Sequence, residues 1–254
     1  MGKAIVAKNI SYTYDKTPVL DDINLDIDGG FISIIGPNGC GKTTLLKILS
    51  GFIDDSKHGI VEFYGNNLKH MKASDRAKTF AMINQKQFFP FPFTCMEMVA
   101  LGRYPHRKDM NHLSTEDLDT IICAMKDTYT IDFKDKMITD ISGGEQQRVV
   151  LACALAQDTK ILFLDEAFSA LDISHKAKSI KLLKKLTDEK KLIVVSVMHD
   201  LNIAYKYSNK VCLMSHGKVV KFSEPEEVMT KESITEVFDV DIDLVEGKGF
   251  YIDV

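Results

Sequence analysis

Residues 36–44 read Gly36-Pro37-Asn38-Gly39-Cys40-Gly41-Lys42-Thr43-Thr44. The pattern Gly-x-x-x-x-Gly-Lys-Thr suits one chemistry, the holding of a polyphosphate. Glycines let successive backbone N–H groups curl around phosphate oxygens. A helix N-terminus placed there adds partial positive charge. Lys42 would reach the β- and γ-phosphates, and the Thr43 hydroxyl would sit on Mg²⁺. A second candidate lies far along the chain, where Ile161-Leu162-Phe163-Leu164 ends in two carboxylates, Asp165 and Glu166. Asp165 suits Mg²⁺, directly or through water. Glu166 could polarise a water attacking a γ-phosphate. Phosphoryl transfer asks the protein for positioning and charge compensation rather than covalent chemistry. The third candidate is Ile141-Ser142-Gly143-Gly144-Glu145-Gln146-Gln147-Arg148. Ser142 can cap a helix that starts there, and the two glycines let an anion approach its N-terminus.

Such residues need elements that aim them. The phosphate loop follows the apolar run Phe31-Ile32-Ser33-Ile34-Ile35 and precedes Leu45-Leu46-Lys47-Ile48-Leu49, so strand, loop and helix succeed one another. Ile23, Leu25 and Ile27 alternate with polar residues, as in a half-buried strand. Residues 60–64 and 80–83 read as strands, with Gly65-Asn66-Asn67 as a turn after the first. From about residue 90 the pattern becomes helical, over 94–101, 114–126 and 144–156. Ser114 with Asp117 resembles a capping box at the second of these. Residues 161–164 and 192–197 are short apolar runs suited to buried parallel strands. Between them lies a helix with Ala177, Ile180, Leu183 and Leu186 inward. Residues 211–220 read as a hairpin, and the last thirty or so as two short helices and a closing β pair. The predicted fold class is α/β. One domain spans 1–254, with an α/β core over 1–86 and 157–254 and a helical insert at about 87–156.

Composition excludes several functions. The 32 basic and 36 acidic residues are well mixed and leave a net charge of −4, so no basic stripe supports nucleic-acid binding. Five scattered cysteines without a Cys-x-x-Cys pair suggest neither zinc nor a disulfide framework. No apolar run approaches the ~18 residues of a membrane helix, and the N-terminus lacks a signal core. The chain is expected on the cytoplasmic side, with any membrane role borrowed from a partner.

Phosphate loop, Ser-Gly-Gly segment and Asp-Glu strand, in this order, resemble the nucleotide-binding subunit of an ABC transporter. Gln85 stands where that family has its Q-loop, Ser169-Ala170-Leu171-Asp172 where it has its D-loop, and His199 where it has its switch histidine. Tyr14 matches the aromatic that stacks on adenine, with Tyr12 as a competing candidate. The resemblance covers essentially the whole chain. It implies a P-loop NTPase (RecA-like) core with an antiparallel β subdomain and an inserted α-helical subdomain. It implies ATP and Mg²⁺ as ligands, with Tyr14, Gly36 to Thr44, Ser142, Gly143, Gly144, Glu145 and Asp172 on ATP. Thr43, Gln85 and Asp165 would serve the metal, and Glu166, His199 and Gln85 catalysis. Two copies would pair head to tail, Ser142 and Gly144 of one completing the site built on Lys42 of the other. The pair would work at the cytoplasmic face of the membrane, on permease subunits and indirectly with a solute-binding protein.

A finer likeness runs over Thr94-Cys95-Met96-Glu97-Met98-Val99-Ala100-Leu101-Gly102-Arg103-Tyr104-Pro105-His106 and over Glu224-Pro225-Glu226-Glu227-Val228-Met229. Both stretches are similar to ATPases of importers for iron-siderophores, haem and cobalamin. Arg103 and His106 are expected on an exposed loop, diagnostic but without direct chemistry. The aromatic loop Phe88–Phe93 is a candidate contact for the permease. The chain departs from the family at Ile141, Glu145 and Ala167-Phe168, where Leu, Gln and Pro-Thr are usual; none of these removes a phosphate, metal or water ligand. Cys40, inside the phosphate loop, reads as a small spacer; if exposed, it would make activity sensitive to thiol reagents.

Overall fold

The computed structural model describes residues 2–53, 59–85, 87–107, 112–245 and 249–252. The chain forms two compact units, one of Met1–Met71 with Ile193–Val254, the other of Lys72–Leu192.

The first unit begins with β1 (Ile5–Tyr14), β2 (Thr17–Ile27), β3 (Phe31–Ile35), α1 (Lys42–Leu49), β4 (Ile60–Phe63) and β5 (Asn66–Asn67). The second unit holds α2 (Ala73–Thr79), β6 (Phe80–Ile83), α3 (Cys95–Ala100), α4 (Thr115–Asp127), α5 (Gly143–Ala156), β7 (Ile161–Asp165) and α6 (Ile173–Lys190). The chain then returns to the first unit with β8 (Ile193–Val197), α7 (Leu201–Tyr207), β9 (Lys210–Ser215) and β10 (Lys218–Ser223). It closes with α8 (Pro225–Val228), α9 (Lys231–Phe238), β11 (Ile242–Val245) and β12 (Gly249–Ile252).

In the first unit, β3 lies parallel to both β8 and β9, and β10 adds antiparallel to β9. Every residue of β3 and β8 is buried, which is why both read as near-continuous apolar runs, broken only by Ser33 and Ser196, instead of alternating ones. The other sheet is antiparallel, in the order β2-β1-β4-β5. There Ile23, Leu25 and Ile27 turn inward and pair with Ile10, Ala7 and Ile5. Asn66–Asn67 is not the expected turn but a short strand paired with Glu62 and Phe63. The reversal sits one step earlier, at Tyr64 and Gly65, with φ of 50° and 81°. Two consecutive positive φ values match the right-handed twist of a tight hairpin, and Gly65 takes the second without cost.

In the second unit, β6 and β7 run parallel with Phe80 opposite Ile161 and Ile83 opposite Leu164. The helices close over Cys95, Val99, Ile121, Met125, Val149 and Ala152, with Phe89 and Ile141 packed against them. Thr94, Ser114 and Ser142 start α3, α4 and α5 with one device. Each hydroxyl accepts the N3 backbone N–H, and Glu97, Asp117 or Glu145 reaches back to the cap's own N–H.

Arg103 is not exposed as expected: it is 6% accessible. Its Nε donates to Asp117 Oδ1 at 2.8 Å and its Nη1 to Ala156 O at 2.8 Å. The guanidinium is drawn inward because its fork can satisfy a buried carboxylate and a helix-end carbonyl together. Arg103, and next the Ser114 hydroxyl, hold the Asp117 carboxyl at about 2, below its ordinary 3.8. A depressed carboxylate stabilises the fold above its ordinary pKa, and that contribution fades as pH falls through about 2. Stability is therefore expected to drop more steeply between about pH 4 and pH 2 in the parent chain than in Asp117→Asn. Arg103→Met, which strands the buried carboxylate, is expected to cost about 3–5 kcal/mol at neutral pH. Urea midpoints across pH check both.

Candidate functional site

The expected site residues fall into two sets, one on each unit. On the first unit, the phosphate loop leaves β3 and enters α1. Gly36, Gly39 and Gly41 have φ of 153°, 78° and 103°. A Cβ on Gly36 would lie 2.2 Å from Met214 O, and one on Gly41 2.9 Å from Val19 O. The loop is thus drawn tight against its neighbours in a shape that side chains would prevent, and glycine-rich loops of this kind can turn backbone N–H groups toward an anion. Gly41 caps α1 without a side chain, and no acidic residue occupies the first turn, so nothing there offsets the positive end of the helix. Lys42 is 6% accessible, and its Nζ donates to Gly36 O and Pro37 O at 2.8 Å each. The ammonium is thereby fixed over the loop it must serve. Thr43 and Thr44 stand in the first turn of α1.

Cys40 is buried, and burial pushes its thiol pKa up. It acts as a small spacer, its Sγ 2.9 Å from where a Gly36 Cβ would lie, and the condition for thiol sensitivity, exposure, is not met. Cys123, on α4, is exposed. Limited alkylation at pH 8 is expected to label Cys123 first and leave Cys40 unmodified and ATP turnover unchanged. Peptide mapping of the alkylated protein reads the order directly.

Tyr14 and Tyr12 end β1 with rings edge to face, 4.8 Å between centroids. Tyr14 is 45% exposed while Tyr12 is half-buried, so Tyr14 offers the larger free ring surface. His199 follows β8 and is exposed, just before Asp200, which caps α7 by accepting the Ile203 N–H.

On the second unit, β7 carries Asp165 at its end, 3% accessible. Glu166 follows with φ of 50°. A non-glycine residue in the left-handed region carries backbone strain, which persists where the surroundings over-determine it. Here the next turn closes at once, with Ser169 N donating to Glu166 O at 3.2 Å. Gln85 Nε2 donates to Glu166 Oε2 at 2.6 Å. Gln85 and Glu166, 81 residues apart in sequence, are thus brought together. Ala167 and Phe168 are buried behind them.

Ser142, Gly143, Gly144 and Glu145 form the first turn of α5. Ser142 Oγ donates to Glu145 Oε2 at 2.7 Å, and this bond with the Ser142 N–H keeps the Glu145 carboxyl below its usual range. The departure from the family at this position therefore puts a full negative charge beside the Ser142 hydroxyl. The Ser-x-x-Glu spacing carries that capping information, whereas the resemblance assigns Glu145 to ATP and marks it as a departure. Gly144 lies against the segment before α6: a Cβ there would be 3.4 Å from Ala170 O. Asp172 caps α6 through His175, accepting its N–H at 2.8 Å and meeting its Nδ1 at 2.9 Å. Those two bonds lower the Asp172 pKa.

A glycine cradle on a helix N-terminus with a buried lysine has the chemistry a nucleotide phosphate needs, and two carboxylates stand at the end of β7. Residues 20–169 match the family described as ABC transporter, and the chain belongs to it. It is 40% identical over 238 residues to the uncharacterized ABC transporter ATP-binding protein YvrA of Bacillus subtilis, covering 93% of this chain and 54% of that protein. The chain thus spans about half the length of that relative. It is 36% identical over 232 residues to the ferric enterobactin transport ATP-binding protein FepC of Escherichia coli, covering 91% of this chain and 85% of that one. Among solved structures, the dimeric ATP-binding cassette MJ0796 in a post-hydrolysis state with ADP and Pi shares 28% identity at a TM-score of 0.78. The match covers 87% of this chain and 98% of MJ0796. The P-loop NTPase fold of an ABC cassette is therefore the fold of this chain, and its class is that of the ATP-binding ATPases. Among the described residues no helix is long and apolar enough to cross a membrane.

Proposed function

We propose that this chain powers an ABC importer for a metal chelate of the iron-siderophore, haem or cobalamin type. One observation carries the hydrolytic half of this reading: Glu166, on a strained turn, is held by Gln85 at 2.6 Å. The sequence from Thr94 to His106 and the likeness to FepC support the importer half. Tyr14 stacks on adenine, Gly36 to Thr44 bind the phosphates, and Glu166 accepts a proton from the attacking water. His199 and Gln85 hold that water and the γ-phosphate in register. Thr43, Asp165 and Gln85 offer oxygen donors alone, a set that fits a hard cation keeping its waters. They would hold Mg²⁺, which neutralises charge on the phosphates when bound.

Two copies pair head to tail, so that Ser142, Gly143, Gly144, Glu145 and Asp172 of one face the phosphate loop of the other. The dimeric state of MJ0796 supports this pairing. Phe88 and Phe91, 85% and 61% exposed, are the side chains offered to a permease at the membrane face, while Phe89 packs inward. The solute-binding protein acts through that permease, and nucleic acid has no part. The test is a pull-down of tagged Glu166→Gln protein from solubilised native membranes with Mg-ATP. A multi-spanning permease among the partners supports the reading. Ribosomal or DNA-repair partners without a permease sink it.

A further inference from the structure

Gly102-Arg103-Tyr104-Pro105-His106 sits at the far end of α5 from Ser142. A Cβ on Gly102 would lie 2.2 Å from Cys153 O, so only glycine lets the two backbones approach. Arg103 Nη1 donates to Ala156 O and His106 Nε2 to Gln157 O, each at 2.8 Å. Three positions in the last turn and cap of α5 are thus gripped by one short segment. The helix has no basic residue of its own in its last turn, so these donors come from outside to meet carbonyls that a helix end leaves without partners.

The grip extends in two directions. Arg103 is anchored by Asp117, which also closes the capping box of α4. Gln157, just past α5, donates from Nε2 to Ala77 O at 2.7 Å and Phe80 O at 3.1 Å. Phe80 begins β6, the strand that leads to Gln85. A helix of 14 residues is about 21 Å long and stiff, so fixing its C-terminal end fixes where its N-terminal end points.

We propose that Arg103 and His106 are positioning residues that clamp the C-terminal end of α5 and thereby aim Ser142. The inference rests on the ATPase reading above and adds a role to residues that touch no phosphate. The stretch that marks the chain as metal-chelate-like is then a mechanical part, acting on hydrolysis at a distance.

The test uses the full chain with three variants, His106→Ala, His106→Gln and Arg103→Lys, and reads ATP turnover, binding of a fluorescent ATP analogue, and melting temperature. His106→Ala is expected to lower kcat about tenfold, because small misplacements of a reacting group have effects of that order or larger. Affinity for the analogue stays parental, since the phosphate loop is untouched. His106→Gln, which keeps a donor for Gln157 O, restores most of kcat. Arg103→Lys keeps the charge but loses the two-pronged fork, and lowers kcat without changing analogue affinity. A parental kcat per folded molecule in His106→Ala and Arg103→Lys, with only the melting temperature lowered, would overturn the clamp. So would equal kcat in the Ala and Gln variants. A parent chain that neither binds the analogue nor turns over ATP would sink the ATPase reading itself, a different failure.

Discussion

Glu166→Gln is expected to stop ATP turnover while leaving ATP binding intact, with a fall in kcat of about 10²–10⁴. The amide cannot take a proton from water. It keeps the size of the carboxylate and can still bond to the Gln85 side chain by turning its own amide, so the turn is not forced open. ATP then stays bound, and two subunits that close around it cannot reopen through hydrolysis. A stable dimer in Mg-ATP, seen by size-exclusion chromatography with light scattering, is the expected companion of the lost rate. Parental turnover in this variant would remove Glu166 from the role of base. The left-handed φ of 50° adds a second comparison. Glu166→Gly relieves the strain and removes the carboxylate together, so it loses the rate without trapping a well-ordered dimer.

Much of the site was legible because its chemistry is local in sequence. A phosphate loop needs glycines at fixed spacing, and each of Gly36, Gly39 and Gly41 shows the positive φ that only the sequence pattern could announce. The buried strands β3, β7 and β8 were legible for a related reason: a strand covered on both faces is apolar at nearly every position. The reversal at Tyr64–Gly65 was missed by one step, since Gly-Asn-Asn is good turn chemistry and nothing local reveals that Asn66 pairs with Phe63.

The harder residues are those whose partners lie far away. Arg103 in a polar-looking stretch reads as surface, because its counter-charge Asp117 is 14 positions on and its second acceptor, Ala156 O, is 53. No periodicity encodes such a meeting. Cys40 is simpler: a small residue between glycines reads as a spacer, and the close approach of Gly36 to Met214 O goes with a buried thiol. Glu145 differs: the Ser-x-x-Glu signal is local, but the resemblance assigns the residue to ATP and so leaves its capping role unread.

Lys42→Ala carries the largest expected effect on binding. The ammonium is 6% accessible and bridges Gly36 O and Pro37 O, so the loop is already shaped around it and little is lost in ordering it for a phosphate. Hydrogen bonds to charged groups contribute about 1.5–3 kcal/mol each. Losing one or two from a polyphosphate weakens ATP by about 10²-fold. Gly36→Ala is expected to reach a similar loss by another route, because its Cβ would sit 2.2 Å from a backbone carbonyl and must push the loop away. The two are separable. Lys42→Ala removes the charge and two hydrogen bonds from the loop but introduces no clash, so its melting temperature falls less than that of Gly36→Ala. Gly36→Ala distorts β3's exit and melts earlier. Titrating a fluorescent ATP analogue against both, beside thermal melts, reads charge and shape apart. Parental affinity in Lys42→Ala would mean that the nucleotide lies somewhere other than this loop.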